Sequence, residues 1–262
     1  MKLAMTIIIY ALLFAAPTGA SLAQEKPQPP KAPGANTAKA TAAEPTVDQI
    51  LDKYVQAMGG RQAVEKITSR VTKGTFEIST MGLKGEIEVY AKAPNKTLRV
   101  QNLSGVGEIL DGYDGKIAWS QNPMMGLREK DGAELAAVVR ASDIHASLKT
   151  RQLYPKLELK GKEKVGDRET YVILATPATG APVKMYFDTQ TGLIARTDTD
   201  LDTPQGQFHV ETTVEDYREV DGVKIAFTMR QESAMGSAVI KLTEVKHNIA
   251  IDDVKFNKPS GQ

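Results

Sequence analysis

The chain has 262 residues, no cysteine, and a formal charge of +1 from 33 basic and 32 acidic side chains. A charge balance this even gives no electrostatic footprint for nucleic acid. The absence of cysteine excludes disulfides and a thiol nucleophile, so the core must stabilise the fold alone.

Lys2, the apolar run from Leu3 to Ala16 and Ser21-Leu22-Ala23 have the charge, apolar stretch and small-x-small site of a secretory signal peptide. The run is too short for a comfortable bilayer span. Residues 1–23 are therefore expected to be removed near Ala23, leaving 32 basic and 32 acidic residues and a soluble, exported chain. Residues 24–45, with prolines at 27, 29, 30 and 33, read as a disordered Pro/Ala-rich linker.

The folded part, residues 46–262, is expected to form a single domain. Thr46-Val-Asp-Gln49 predicts a capping box. Val47, Ile50, Leu51, Tyr54, Val55 and Met58 then fall at helical spacing, and Gly59-Gly60 stops the helix. From Arg70 the period changes to two, predicting strands near 70–80, 83–92, 96–103, 107–112 and 116–121. Their links are short, which forces antiparallel neighbours. Residues 122–131 read as irregular, with Met124-Met-Gly-Leu127 either a hinge or a buried loop. Residues 133–148 read as a second helix with Leu135, Val138, Val139 and Ile144 as its apolar stripe.

Strands resume near 154–162, 169–177, 182–188, 193–202, 206–217, 223–232 and 236–246, and the tail from Ile249 reads as irregular. Eleven or twelve antiparallel strands cannot stay flat, and they curl towards a barrel or split into two sheets. Each strand offers a mostly apolar face. Phe76, Ile87, Val89, Leu98 and Trp119 carry it early in the chain, and Met185, Phe187, Phe208, Phe227 and Met229 carry it later. Either the helices fill the space inside, or an apolar cavity remains for a ligand. An aromatic content of 6% and many Val, Ala and Met residues lean towards the cavity.

Catalytic signatures are missing. His145, His209 and His247 have no metal-ligand spacing, and neither a G-x-S-x-G elbow nor a phosphate loop is present. No cofactor is expected. Asp198, Asp200 and Asp202 share a face of one strand, which suits either a hard cation or, more simply, a solvated face near a sheet edge. Lys156, Lys160, Lys162 and Lys164, interrupted by Glu158, read as a polar outer face.

Several stretches carry a family resemblance: Tyr54 to Ile67, Lys73-Gly-Thr, Tyr90-Ala-Lys-Ala-Pro-Asn-Lys96, Asp111-Gly-Tyr-Asp-Gly-Lys-Ile-Ala-Trp119, Tyr186 to Leu193, and Tyr217 to Ile225. In their order and spacing the chain resembles the periplasmic outer-membrane lipoprotein-sorting carriers (LolA-like). The resemblance implies an unclosed β-barrel of about eleven strands with helices over its open side. It also implies a monomeric, non-enzymatic periplasmic carrier. The partners it implies are acyl chains of a lipid or lipoprotein and a membrane-associated donor or acceptor protein. A sensor or interaction module on the same fold is the alternative. On either wall, Phe76, Ile87, Val89, Leu98, Trp119, Met185, Phe187, Phe208, Phe227 and Met229 are the candidate lipid contacts, with Met124, Met125 and Val139 on the cover.

Overall fold

The computed structural model describes residues 44–203, 206–234 and 236–260. The expected signal peptide, and all but the last two residues of the expected linker, lie outside the described residues. Helix α1 spans Val47–Ala57. Thr46 Oγ1 accepts from the Gln49 backbone (3.2 Å) and the Gln49 side chain accepts from Thr46 N (2.9 Å), the reciprocal pair expected from the sequence. The helix ends at Met58, and Gly59 takes φ 116°. A Cβ at Gly59 would stand 2.0 Å from the Gly222 carbonyl, so both its φ and its neighbour require glycine. Helix α2, Arg61–Glu65, follows.

Six strands come next: β1 (Ser69–Ile78), β2 (Leu83–Lys92), β3 (Lys96–Leu103), β4 (Gly107–Tyr113), β5 (Ala118–Asn122) and β6 (Gly126–Glu129). Helices α3 (Gly132–Ser142) and α4 (Thr150–Leu153) separate these from the second run. That run is β7 (Lys156–Val165), β8 (Arg168–Thr176), β9 (Val183–Asp188), β10 (Ile194–Thr203), β11 (Gly206–Val220), β12 (Val223–Ser233) and β13 (Gly236–His247). All thirteen form one sheet in the order β6-β5-β4-β3-β2-β1-β13-β12-β11-β10-β9-β8-β7. Every pairing is antiparallel, and β1 meets β13 with Arg70 opposite His247. The edge strands β6 and β7 do not pair with each other, so the sheet curves without closing.

Two details differ from the sequence reading. The segment expected to be irregular contains β6, so Met124 and Met125 lie at the tip of a hairpin, where the Asn122 side chain accepts from both of their backbone amides (2.9 and 2.7 Å). They are not a buried loop, being 54% and 41% exposed. The second helix stops at Ser142 because Asp143 turns to extended backbone (ψ 111°), with its carboxylate accepting from His145 N and Lys149 Nζ.

Both faces of the sheet are covered, by different means. On the concave side α1 packs Ile50 and Leu51 against Ile173, Val183, Met185 and Phe187, and Tyr54 meets Phe187 edge-on at 5.4 Å. Phe76, Ile78, Ile87, Leu103, Met229 and Ile240 close the far end of that side. On the convex side the tail after β13 lies back over β1–β5, with Ile251 and Phe256 joining Val71, Leu98 and Trp119. Trp119 Nε1 donates to the Phe256 carbonyl (3.1 Å), and Lys92 and Lys96 both reach Asp253 (2.7 and 2.8 Å). The tail, expected to be irregular, is so apart from one 3-10 turn at Asp253–Phe256, and it works as a cover.

Helix α3 is held by charge. Lys130, with its side chain 2% exposed, donates to Asp111 on β4 (2.7 Å) and lies 3.4 Å from Glu134 on α3. Arg128 on β6 binds both oxygens of Glu134 at 2.7 Å. Burial pushes the Asp111 carboxyl up, but Lys130 and Arg99 outweigh it and hold the group below the usual carboxylate range.

Two outcomes follow from these contacts. Phe256 is fully buried, so Phe256→Ala should cost about 3–5 kcal/mol in urea unfolding. A loss under about 1 kcal/mol would mean that the tail is not part of the core. Asp111 has a folded pKa below its unfolded value of about 3.9, so its stabilisation is complete above that pH and disappears as the pH falls through the folded pKa. Unfolding free energy should therefore drop more steeply below about pH 4 in the wild type than in Asp111→Asn. Parallel curves would contradict this account of the anchor.

Candidate functional site

Between the concave face and α3 lies a cavity of about 370 Å3, within the range of roughly 300–1,000 Å3 that pockets for small ligands occupy. Its apolar wall comes from Ile87, Val89 and Ala91 on β2, Ile225 and Met229 on β12, and Ile240 and Leu242 on β13. The opposite wall is hydroxylated: Thr197 and Thr199 on β10 and Thr212 on β11 face inward. A smaller void of about 40 Å3 adjoins it, sharing Tyr54, Arg140 and Ile194, with Met185 and Phe187 behind them. Burial pushes the Tyr54 hydroxyl up to about 12, so it stays neutral and able to donate.

The cover is light. Ser142 is the only buried residue of α3, while Ala133, Ala137, Val138 and Ala141 line the cavity and Val139 points out at 37% exposure. Small side chains leave space beneath the helix, whose main packing against the sheet is on β4, β5 and β10.

The candidate contacts divide by face. Ile87, Val89 and Met229 line the main cavity, and Met185 and Phe187 line the smaller void. Phe76 is buried at the far end, its ring lying where a Cβ on Gly85 would be. Leu98 and Trp119 are on the convex face beneath the tail, where the Trp119 ring lies over Gly112. Phe208 is half-buried opposite Leu201, and Phe227 is buried under the Arg218 guanidinium, 4.4 Å from its ring centroid. Met124, Met125 and Val139 are exposed. The inward threonines were missed. They alternate with Asp198 and with Asp200, which also borders the cavity, so the acidic row was itself the available signal.

The acidic row does not converge on one point. β10 is interior to the sheet, not near its edge, and Asp198 is buried, accepting from Tyr186 Oη (2.7 Å) and from Arg196. Asp200 meets His209 Nδ1 (2.8 Å) and Asp202 accepts from Gln207 (3.2 Å). Oxygens and ring nitrogens of Asp198, His209 and Glu211 come within 4.8 Å of one another. Arg196 already bridges Asp198 and Glu211 there, supplying the positive charge that a cation would otherwise bring. Three of the four lysines in the other row are likewise engaged, Lys156 and Lys160 with Glu158 and Lys162 with Glu169, and the row sits on an edge strand that charge protects from pairing.

No family model matches the sequence, and no curated protein aligns with it. Solved structures do match. A DUF1329 family protein from Desulfovibrio piger superposes with a TM-score of 0.54 at 17% identity, covering 80% of this chain and 97% of that one. A LolA superfamily protein from Nitrosomonas europaea gives 0.54 at 13% identity, over 82% and 99%. A domain described as an outer membrane lipoprotein-sorting protein, from Vibrio parahaemolyticus, gives 0.52 at 12% identity, over 79% and 97%. Identities this low speak to the fold alone. Over most of the chain, these superpositions show a LolA-like fold.

Proposed function

We propose that the chain is a soluble, monomeric periplasmic carrier that holds acyl chains of a lipid or lipoprotein in the cavity beneath α3, without enzymatic activity. The observation that supports this reading is the cavity itself, about 370 Å3 with Ile87, Val89, Met229 and Ile240 in its wall, under a helix that is hardly buried. Transfer of an acyl chain into such a space gains about 0.8 kcal/mol per methylene. The signal-like residues 1–23 and the likeness to a lipoprotein-sorting domain agree with an exported carrier. Within residues 122–150, α3 and the segment after it form the cover that would move for loading and release, with α3 anchored to the sheet through Glu134 near its N-terminus.

A second reading, a sensor or interaction module on the same fold, draws on the exposed Met124 and Met125 at the β5–β6 tip. The two readings separate on use of the cavity. Delipidated protein should take up a fluorescent fatty acid, and Ala137→Trp, which fills the space beneath α3, should weaken uptake by about tenfold or more, the equivalent of fewer than two buried methylenes. Failure of the wild type to bind, with no lipid extracted from protein purified without detergent, would discard the carrier reading. Amide exchange offers an independent check. Residues 132–142 should exchange faster than β1 and β13 in empty protein and slow when fatty acid is added.

A further inference from the structure

One charge in the cavity lacks a partner. Arg70 on β1 lines the wall between Ala91 on β2 and His247 on β13. Its guanidinium forms no ion pair or hydrogen bond with the described residues, and burial, with no carboxylate to oppose it, pushes its pKa down. Arginine nonetheless stays protonated in proteins. The carboxylates that share the cavity are committed elsewhere. Asp111 is held by Lys130 (2.7 Å), Glu134 by Arg128 (2.7 Å), Asp143 by Lys149 (2.6 Å) and Asp200 by His209 (2.8 Å), and Asp202 accepts from Gln207 (3.2 Å). A partly buried guanidinium without a counter-charge is costly, and such groups are ordinarily paired.

Its position along β1 gives the charge a direction. The residues of β1 on the concave face run Arg70, Thr72, Gly74, Phe76, Ile78, from cation through hydroxyl to buried hydrocarbon. Six residues of strand separate Arg70 from Phe76, about 20 Å at roughly 3.3 Å per residue. The neighbouring rows, Ala91, Val89 and Ile87 on β2 and Leu242 and Ile240 on β13, are apolar along the same course.

The cover supplies a second free polar group at the charged end. Ile144 N donates to the Pro94 carbonyl (3.3 Å), and the His145 ring meets the Ile67 carbonyl (2.8 Å). These contacts bring the end of α3 to the ends of β1 and β2 that carry Arg70 and Ala91. Ser142 Oγ, which lines the cavity, is buried there without a hydrogen-bond partner.

We infer that Arg70 is the headgroup anchor of this cavity, taking the anionic end of an amphiphile, a carboxylate or a phosphate, while the acyl chain runs along the apolar rows towards Phe76. This rests on the carrier reading and narrows its ligand to anionic amphiphiles. The guanidinium fork suits two-point binding of either oxyanion, whereas lysine would offer only a point charge.

The test uses delipidated full-length protein and three ligands with the same chain: oleate, oleoyl lysophosphatidate and oleyl alcohol. The wild type should bind at least one of the two anions about tenfold or more tightly than the alcohol. The tighter of the two identifies carboxylate or phosphate as the group recognised. Arg70→Gln should bring the anion to the affinity of the alcohol, and Arg70→Lys should keep part of the preference. Thermal unfolding without ligand should show Arg70→Gln at least as stable as the wild type, because an unpaired charge has been removed. Equal binding of all three ligands, a preference that survives in Arg70→Gln, or a large loss of stability in that variant overturns the anchor and leaves the carrier reading standing. Binding of none of the three overturns both.

Discussion

A curved sheet of thirteen strands encloses more inner surface than four short helices can cover, and the rest of the molecule is arranged around that mismatch. Helix α1 fills one end, against β8–β10, with Ile50, Leu51 and Tyr54. The Phe76 cluster fills the other, where the strands of β1, β2, β12 and β13 bring their own large side chains together. The middle is spanned by α3, which reaches from β4 and β5 to β10 and meets the space with alanines. A bulkier helix would have packed this region shut. With Ala133, Ala137 and Ala141 facing the sheet, the cavity remains.

The convex face shows the opposite solution. There the tail brings Ile251 and Phe256 down on Trp119, Leu98 and Val71; its Ile249 and Ile251 carbonyls accept from the Ser69 and Lys92 side chains, and its Asn248 side chain accepts from Thr68 N. A dry, pinned outer layer leaves the inner layer as the adaptable one. Rigidity on one side and slack on the other are what an open half-barrel needs if only its cover is to move. The buried ion network of Asp111, Lys130, Glu134 and Arg128 fixes one end of α3, and Ile144 and His145 tie the chain after its other end to Pro94 and Ile67, so slack is confined to the length between.

Much of the architecture was legible from period and turn chemistry. The capping box at Thr46, the helix stop at Gly59, the short antiparallel links and the irregular tail all depend on local preferences, which a sequence displays directly. Strand β6 did not show, because Gly126-Leu-Arg-Glu129 has too few residues for a period and pairs only because β5 is beside it. The break at Asp143 depends on contacts with Lys149 and Ile67 that no local pattern records. The site was harder still. Leu98 and Trp119 alternate as cleanly as Ile87 and Val89, but period two assigns residues to a common face without saying which face is inner. That choice is made by the tail, more than 100 residues away, when Phe256 lands on Trp119.

The unsatisfied groups point the same way. Among the described residues, the buried side-chain atoms without a hydrogen-bond partner are Gln101 Nε2, Ser142 Oγ, Thr199 Oγ1 and His247 Nε2. Gln101 pairs across the sheet with Ile87, and His247 with Arg70, so both belong to the concave rows, while Ser142 and Thr199 line the cavity outright. None stands on the convex face, where the Asp198, Tyr186 and Arg196 cluster is fully partnered. A fold that satisfies its polar atoms on one side and leaves them open on the other has not packed badly at random. Such violations concentrate where a site must stay receptive, and here they surround the same space as the unpaired guanidinium of Arg70.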